Sequence, residues 1–555
     1  MNELFISRAD ASHARELLEH FLLDNAGKSD LEITFEKGIY DFYNEQAVKD
    51  YNSVLCGQTD YDTPWGRDGF AYNREITLSR LTRVRVNGNG ATLTAEGLTQ
   101  VLAIEDCKDV TISGLRINWR RPPFSVGKII AIHGQALTLQ MDAQYPLSGG
   151  EVVWAFYDYD PLTKRVCSRY KFRNMPPLKK NEDGTFELDV GKTALGLAAG
   201  MTLVLRHIGN YRPVIHALRS DDIRLEDITI FAGAGMGLIA HYCKNITLQG
   251  IRVLPYEGRP MSTATDAAHF ITCSGLIDIE DCFFEGAGDD AVNVHSFYLK
   301  VAEITDDHTL KTAILRHDGT QDQVCDAPLE GEWVEFYHQG EQQAFERALL
   351  KKRVVNERTW ETILTFETPV GKKIIPGDML TQASHTAVLK MHGCHVRNER
   401  ARGVLSQTRE ALIERNVFEN LSGTGIHICC DLLEGWYESI SAQNVIIRDN
   451  SILRCGYADG TYQNTSGIVV ESGEKDDTVG VHRGILIESN RITGVQTVGI
   501  AVCNTDGAVV RENVTASCQT DLLLCASDHV TLLNNQFGSQ TVRCSLQHEG
   551  TTDSI

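Results

Sequence analysis

Residues 220–233 read SDDIRLEDITIFAG and residues 243–256 read CKNITLQGIRVLPY, two versions of one phrase. Each opens on a small residue, alternates apolar and polar side chains, turns at Asp or Gly, and alternates again. Successive side chains of a strand point to opposite faces, so period-2 alternation marks short strands rather than helices. The phrase recurs as CKDVTISGLRINWR from Cys107, CSGLIDIEDCFFEG from Cys273, GCHVRNERARGVL from Gly393 and TREALIERNVFEN from Thr408. Later copies are AQNVIIRDNSILRC from Ala442, HRGILIESNRITGV from His482, DGAVVRENVTASC from Asp506 and SDHVTLLNNQFGS from Ser527. Ile223 to Ile246 is 23 residues, Ile485 to Val509 is 24, and Val509 to Val530 is 21. Such a period means stacked coils sharing one core. A leucine-rich repeat has a similar period but needs a Leu ladder and a helical segment per repeat, whereas these coils carry Ile, Val and Leu on two or three strands with Asn at the turns. The expected fold is all-β, a right-handed parallel β-helix.

Two gaps break the rhythm. Val110 to Ile223 is 113 residues and Ile277 to Val396 is 119, each longer than a coil by roughly 90. Both excesses alternate like antiparallel strands, as in KIIAIHGQALTLQM and WETILTFE, which predicts two inserted small β-barrel-like domains. The boundaries expected are 1–121 for a cap helix and the first coils, 122–212 for the first insert, and 213–298 for coils bearing an Asp cluster. The second insert is expected at 299–388 and the last coils at 389–555. Helical spacing over 10–24 predicts a cover for the open end of the core.

Composition narrows the partners. With 53 basic and 74 acidic residues the net charge is −21, which argues against nucleic acid or an anionic membrane, since both reward clustered Lys and Arg. No apolar run is long enough to span a bilayer, and no signal-peptide pattern opens the sequence, so a cytoplasmic location is expected. The 15 cysteines are an odd, scattered count with no C-x-x-C pair, and with no signal-peptide pattern they are expected to be reduced. Cys107, Cys243, Cys273 and Cys394 open repeats at one position, the pattern of a buried ladder rather than of zinc. No metal or cofactor is expected, and a homo-oligomer is compatible with the sequence.

One coil differs from the rest. Asp266 precedes one strand and Asp289–Asp290 follow the next turn, 23 residues on, which is one coil. Stacked coils lie about 4.7–4.9 Å apart, so the three carboxylates should gather. Crowded like charges raise at least one pKa, as a general acid near neutral pH requires. Asp pairs also cap turns, and clustered carboxylates also bind Ca²⁺, so the residues alone leave chemistry, capping and a cation site open. Asn293 and His295 follow at once, with Arg259 and His269 beside them.

GRPMSTATDAAHF (258–270), GAGDDAVNVHSFY (286–298), RARGVLSQT (400–408) and GWYES (435–439) resemble glycoside hydrolase family 110, the α-1,3-galactosidases associated with terminal galactose of blood-group-B-type structures. The resemblance implies a β-helix with two inserted barrels, a galactose-terminated oligosaccharide as substrate, and inverting hydrolysis. The three-Asp layout also resembles that of polygalacturonases. By that analogy Asp289 protonates the glycosidic oxygen while Asp266 and Asp290 hold and deprotonate water, although the sequence does not decide between Asp289 and Asp290 as the acid. Trp436 and Glu438 would grip the sugar, with Arg259, His269, Asn293 and His295 as further contacts. Two other readings stand beside this one: a lyase or epimerase with Ca²⁺ at the Asp cluster and Arg259 or Arg402 as base and charge sink, and a non-catalytic carbohydrate-binding solenoid.

Overall fold

The computed structural model describes residues 2–58, 73–172, 175–194, 196–208, 213–313, 327–356, 361–432, 437–458, 465–473, 478–538 and 541–543. Its frame is a parallel β-helix of three sheets with 14, 11 and 13 strands. The first sheet includes Lys108–Ser113, Asp221–Glu226, Lys244–Gln249, Ser274–Glu280 and Ala387–His392. The second includes Arg116–Trp119, Phe283–Glu285, His395–Arg397 and Val417–Glu419. The third carries the strands that build the site: Leu238–His241, Ala268–Ile271, Val292–Phe297, Val404–Ser406 and Ile426–Cys430.

Strand register explains the sequence rhythm and corrects it in detail. Ile223 pairs with Ile246, as the 23-residue spacing requires. Leu486 pairs with Val509 and Val509 with Thr531, so those coils are 23 and 22 residues long, not 24 and 21. Cys107, Cys243 and Cys273 precede strands of the first sheet, whereas Cys394 precedes one of the second, beside Cys282. The cysteines therefore occupy two turns, not one. Alternation sends Ala268, Phe270, Val292 and Val294 inward to a core that runs the length of the solenoid, and their neighbours outward.

The helix Ala14–Asp24 lies against the first strand of each sheet (Asn2–Ile6, Ile39–Phe42 and Asn73–Ser79) and buries Ala14 and Leu18. Placed there, it covers apolar surface that no further coil covers. A second helix, Glu45–Leu55, escaped the sequence pattern; Asn44 caps it by accepting from the amides of Gln46 and Ala47.

Both interruptions of the solenoid leave and return through paired strands. Val110 pairs with Ile223 across the first gap as though nothing intervened. Between them lies a seven-stranded antiparallel sheet, whose strand Phe124–His133 pairs with the returning Thr202–Arg206. Across the second gap Ile277 pairs with Leu389, not with Val396, which belongs to another sheet. Here six strands from Leu299–Ile304 to Met379–Gln382 close into a barrel. Because the outgoing and returning strands are hydrogen-bonded neighbours, each insert closes its own loop and leaves the coil register undisturbed.

Candidate active site

Ala268, Val292 and Val404 are register partners on consecutive coils. The residues two positions earlier, Asp266, Asp290 and Arg402, are therefore equivalent and stack along the solenoid. Their main chains continue the ladder: the Ala267 amide donates to the Asp290 carbonyl at 2.9 Å, and the Ala291 amide to the Arg402 carbonyl at 3.0 Å. The true coil partner of Asp266 is thus Asp290, 24 residues on, with Asp289 set one position to the side. Gly288 allows the two turns to close up, since a β-carbon there would lie 2.1 Å from the Ala264 carbonyl oxygen. Glu399 holds the same turn by accepting from the Ala287 amide at 2.5 Å.

One oxygen from each of Asp266, Asp289 and Asp290 lies within 4.8 Å of the others. Asp266 and Asp290 are buried, while the Asp289 side chain is 29% exposed. Arg400 pairs with Asp289 at 2.8 Å, and Arg402 gives Asp290 Oδ1 both its amide (2.9 Å) and its Nε (2.8 Å). The two guanidiniums supply the positive charge that a cation would bring to clustered carboxylates. Burial pushes the Asp289 carboxyl upward, Arg400 pulls it down, and neighbouring Asp290 pushes it up again; the balance is a raised pKa.

A hydrogen-bonded chain leads away from Asp266 along the outward face of the third sheet. His269 Nδ1 lies 2.6 Å from Asp266 Oδ2, His269 Nε2 lies 2.7 Å from His295 Nε2, and His295 Nδ1 lies 3.0 Å from the Ser296 carbonyl oxygen. Burial works against charge on His269, but the Asp266 hydrogen bond and the charges of Asp266, Glu438 and Asp290 outweigh it and raise its pKa. His295 is driven well below the ordinary range by burial and by the adjoining His269.

The Glu438–Ser439 strand covers this face by pairing antiparallel with Ser296–Phe297. It sets Glu438 Oε1 3.8 Å from His295 Nε2. Burial lifts the Glu438 carboxyl to about 8; Asp431 and Asp290 add to the rise, while His269 and Arg402 oppose it.

The remaining sequence candidates divide. Asn293 sits next to His269 in register, buried, with its Oδ1 lacking a hydrogen-bond partner among the described residues. Arg259 is engaged elsewhere: its guanidinium donates to Asn118 Oδ1 at 3.0 Å and to the Trp119 carbonyl at 3.2 Å, tying its loop to an earlier coil. Trp436 lies outside the described residues. Arg400 was not singled out from sequence, and Arg402 was seen only as a base for the lyase reading. Their signal was present in RARGVLSQT, but 112 residues separate Arg402 from Asp290, and the insert hides the stacking.

Fold and site together define a parallel β-helix protein with a carboxylate cluster on one outward face, half-covered by a crossing strand. Residues 379–551 match the family model described as a right handed beta helix region, which agrees with the handedness expected. Over 519 residues the chain is 26% identical to α-1,3-galactosidase A of Bacteroides fragilis, covering 90% of this chain and 84% of that protein. It is 26% identical over 444 residues to α-1,3-galactosidase B of Bacteroides thetaiotaomicron, covering 75% and 69%. A Thermotoga maritima exopolygalacturonase structure superposes with a TM-score of 0.40 at 9% identity, over 96% of this chain and 92% of that one. The chain is a relative of the enzymes named α-1,3-galactosidase, as its resemblance to glycoside hydrolase family 110 implied.

Proposed function

We propose that this protein is an exo-acting glycoside hydrolase that removes terminal α-1,3-linked galactose from oligosaccharides or glycoconjugates in a single inverting displacement. The observation that carries the reading is the trio Asp266, Asp289 and Asp290, one oxygen of each within 4.8 Å of the others and unequally exposed. The similarity to enzymes named for α-1,3-galactosides supports the bond type.

In this reading the more exposed Asp289 gives its proton to the glycosidic oxygen as the C1–O bond breaks. Water, held by Asp266 and Asp290, attacks C1 from the opposite side and loses its proton to one of them. The products are β-galactose and the shortened saccharide, and the proton on the base returns to Asp289 through solvent. Typical inverting pairs stand about 6.5–9.5 Å apart and retaining pairs about 5–5.5 Å. The close spacing alone would favour a covalent intermediate. Burial argues the other way: Asp266 and Asp290 are 4% and 1% exposed, which admits water more readily than an anomeric carbon. Their ties to His269 and Arg402 fix one oxygen of each.

The experiment is NMR of the first anomer released from a B-type oligosaccharide. β-Galactose appearing first supports single displacement; α-galactose first would assign a nucleophile. No galactose from either B-type or linear α-1,3-galactosides would remove the hydrolase reading.

A further inference from the structure

The chain Asp266–His269–His295–Ser296 has its proton count fixed by geometry. A carbonyl oxygen only accepts, so His295 Nδ1, 3.0 Å from the Ser296 carbonyl, must carry a hydrogen. Two ring nitrogens 2.7 Å apart need one hydrogen between them, which places a second on the His269–His295 contact. The 2.6 Å contact of His269 Nδ1 with Asp266 Oδ2 needs a third. Two neutral imidazoles and a carboxylate hold only two hydrogens on these groups. The third brings the set from a net charge of −1 to zero. One positive charge therefore resides on the imidazole pair for as long as Asp266 is ionised.

We propose that His269 and His295 form a proton-holding pair that keeps Asp266 a carboxylate, making both histidines positioning residues for the base of the hydrolytic step. The inference rests on the hydrolase reading and adds the partner that fixes the ionisation of its base. The charge sits first on His269, because it bonds Asp266 before its own strand and faces Asp290 before the next; Glu438 on the covering strand, its carboxyl lifted to about 8, adds a negative charge only above that point. His295 faces His269, His241 and Glu438, and its Nδ1 is committed to the backbone. A proton can pass between the two Nε2 atoms without altering the total, so the pair buffers the charge beside Asp266. The other Asp266 oxygen, Oδ1, is left for the water, and every proton of the chain remains in place when Oδ1 accepts one.

The test is the pH profile of kcat/KM for galactose release. His269→Gln retains a donor toward Asp266 but cannot carry charge. The substitution removes the positive charge hydrogen-bonded to Asp266, so the low-pH limb should move upward by about one pH unit or more, with activity recovering at higher pH. His295→Gln preserves an acceptor for His269 and should leave the limb within about half a unit of its place, since the His269 charge that sets it survives. A His269→Gln profile that is lowered uniformly, with its limbs unmoved, overturns the proposal, because a merely structural role would produce that result. Should His269→Gln fail to fold, neutron diffraction of the wild-type protein decides: three hydrogens along the chain, with the one beside Asp266 carried on His269 Nδ1, support the proposal, while two hydrogens, or a third carried on Asp266 Oδ2, overturn it. Wild-type protein that releases no galactose would instead sink the hydrolase reading, and the neutron count would still judge the chain itself.

Discussion

At the turn before the second sheet, Asn416, Asn450, Asn490, Asn513 and Asn535 stack coil upon coil; at the turn before the third, Asp266, Asp290 and Arg402 do the same. The asparagine ladder closes on itself. From Asn416 to Asn513 each Nδ2 donates to the next Oδ1 at 3.0–3.1 Å and to a main-chain carbonyl of the preceding coil, and that next Oδ1 also takes the amide of the residue one coil back. Asparagine has both a donor and an acceptor, so stacking satisfies it. Aspartate when ionised only accepts, so its stack stays open and draws in Arg402, Arg400 and His269. One repeat geometry thus yields a strut where the residue is an amide and an open, charged cluster where it is an acid.

Exchanging acid for amide in the open stack should produce the largest effect. Asp266→Asn, Asp289→Asn and Asp290→Asn should each lower kcat for galactose release by about 10²–10⁴-fold, the usual loss for an acid or base. Thermal unfolding should be unchanged or lowered, because each carboxylate is also the partner of a cation, His269, Arg400 or Arg402. Near-normal turnover in all three variants would make the cluster a capped turn.

Breaking the amide ladder should cost stability rather than chemistry. Asn490→Ala removes the acceptor of the Asn450 amide and Nδ2 and the donor to the Ile447 carbonyl. Each orphaned buried group costs about 1–3 kcal/mol, so the urea midpoint should fall clearly while turnover per folded molecule is retained. A lost midpoint accompanied by equal loss of specific activity would mean the two stacks are coupled.

Glu438 offers a subtler contrast, an acid in the site that behaves as an amide would over most of the pH range. Its carboxyl, lifted to about 8 by burial, stays protonated below that point and can donate to a sugar hydroxyl. KM should be flat up to about pH 8 and rise above it, as ionisation sets a negative charge beside Asp290 and Asp431. Glu438→Gln should abolish that rise. For stability the sign follows from proton uptake on folding: the unfolded carboxyl titrates near 4.5 and the folded one near 8, so the native state binds the extra proton between them. This contribution is greatest below pH 4.5, declines from there to about 8, and is constant above. The Gln variant should therefore lose less stability than wild type across that window.

The legibility of the molecule in its sequence follows the same division. The ladder positions repeat within one coil, so 23-residue spacings such as Ile223–Ile246 expose the sheets directly, and both inserts appear as excess length. Asp266 and Asp290 were visible for the same reason. Arg400 was not, and the pairing of Arg402 with Asp290 was not, because register joins them to the cluster only after a six-stranded barrel is removed from the count. The Asp266–His269 contact is local, three residues apart within one turn, but the His269–His295 bond requires knowing that Ala268 faces Val292, not its neighbour. Helix Glu45–Leu55 was missed because a buried face of Ala47, Tyr51 and Val54 is too short a stripe to stand out among polar neighbours.

Arg259 supplies the smallest expected effect and the finest test of which polar residues belong to the open stack. Sequence placed it among the sugar contacts, since it lies in the same motif as Asp266. In the structure its guanidinium donates to Asn118 Oδ1 and to the Trp119 carbonyl and lies over the Tyr256 ring at 5.4 Å. Burial lowers its pKa, with Tyr145 and Tyr256 opposing the shift, as befits a cation spent on packing rather than held open for a ligand. Arg259→Gln should therefore weaken the loop by about 1.5–3 kcal/mol, the range for hydrogen bonds to a charged group, and lower the unfolding midpoint accordingly. Well below that midpoint KM should change by less than about threefold, because a charged contact to substrate would cost more. A tenfold rise in KM at undiminished stability would return Arg259 to the sugar site, and the fastening of loop to coil would then be incidental to its role.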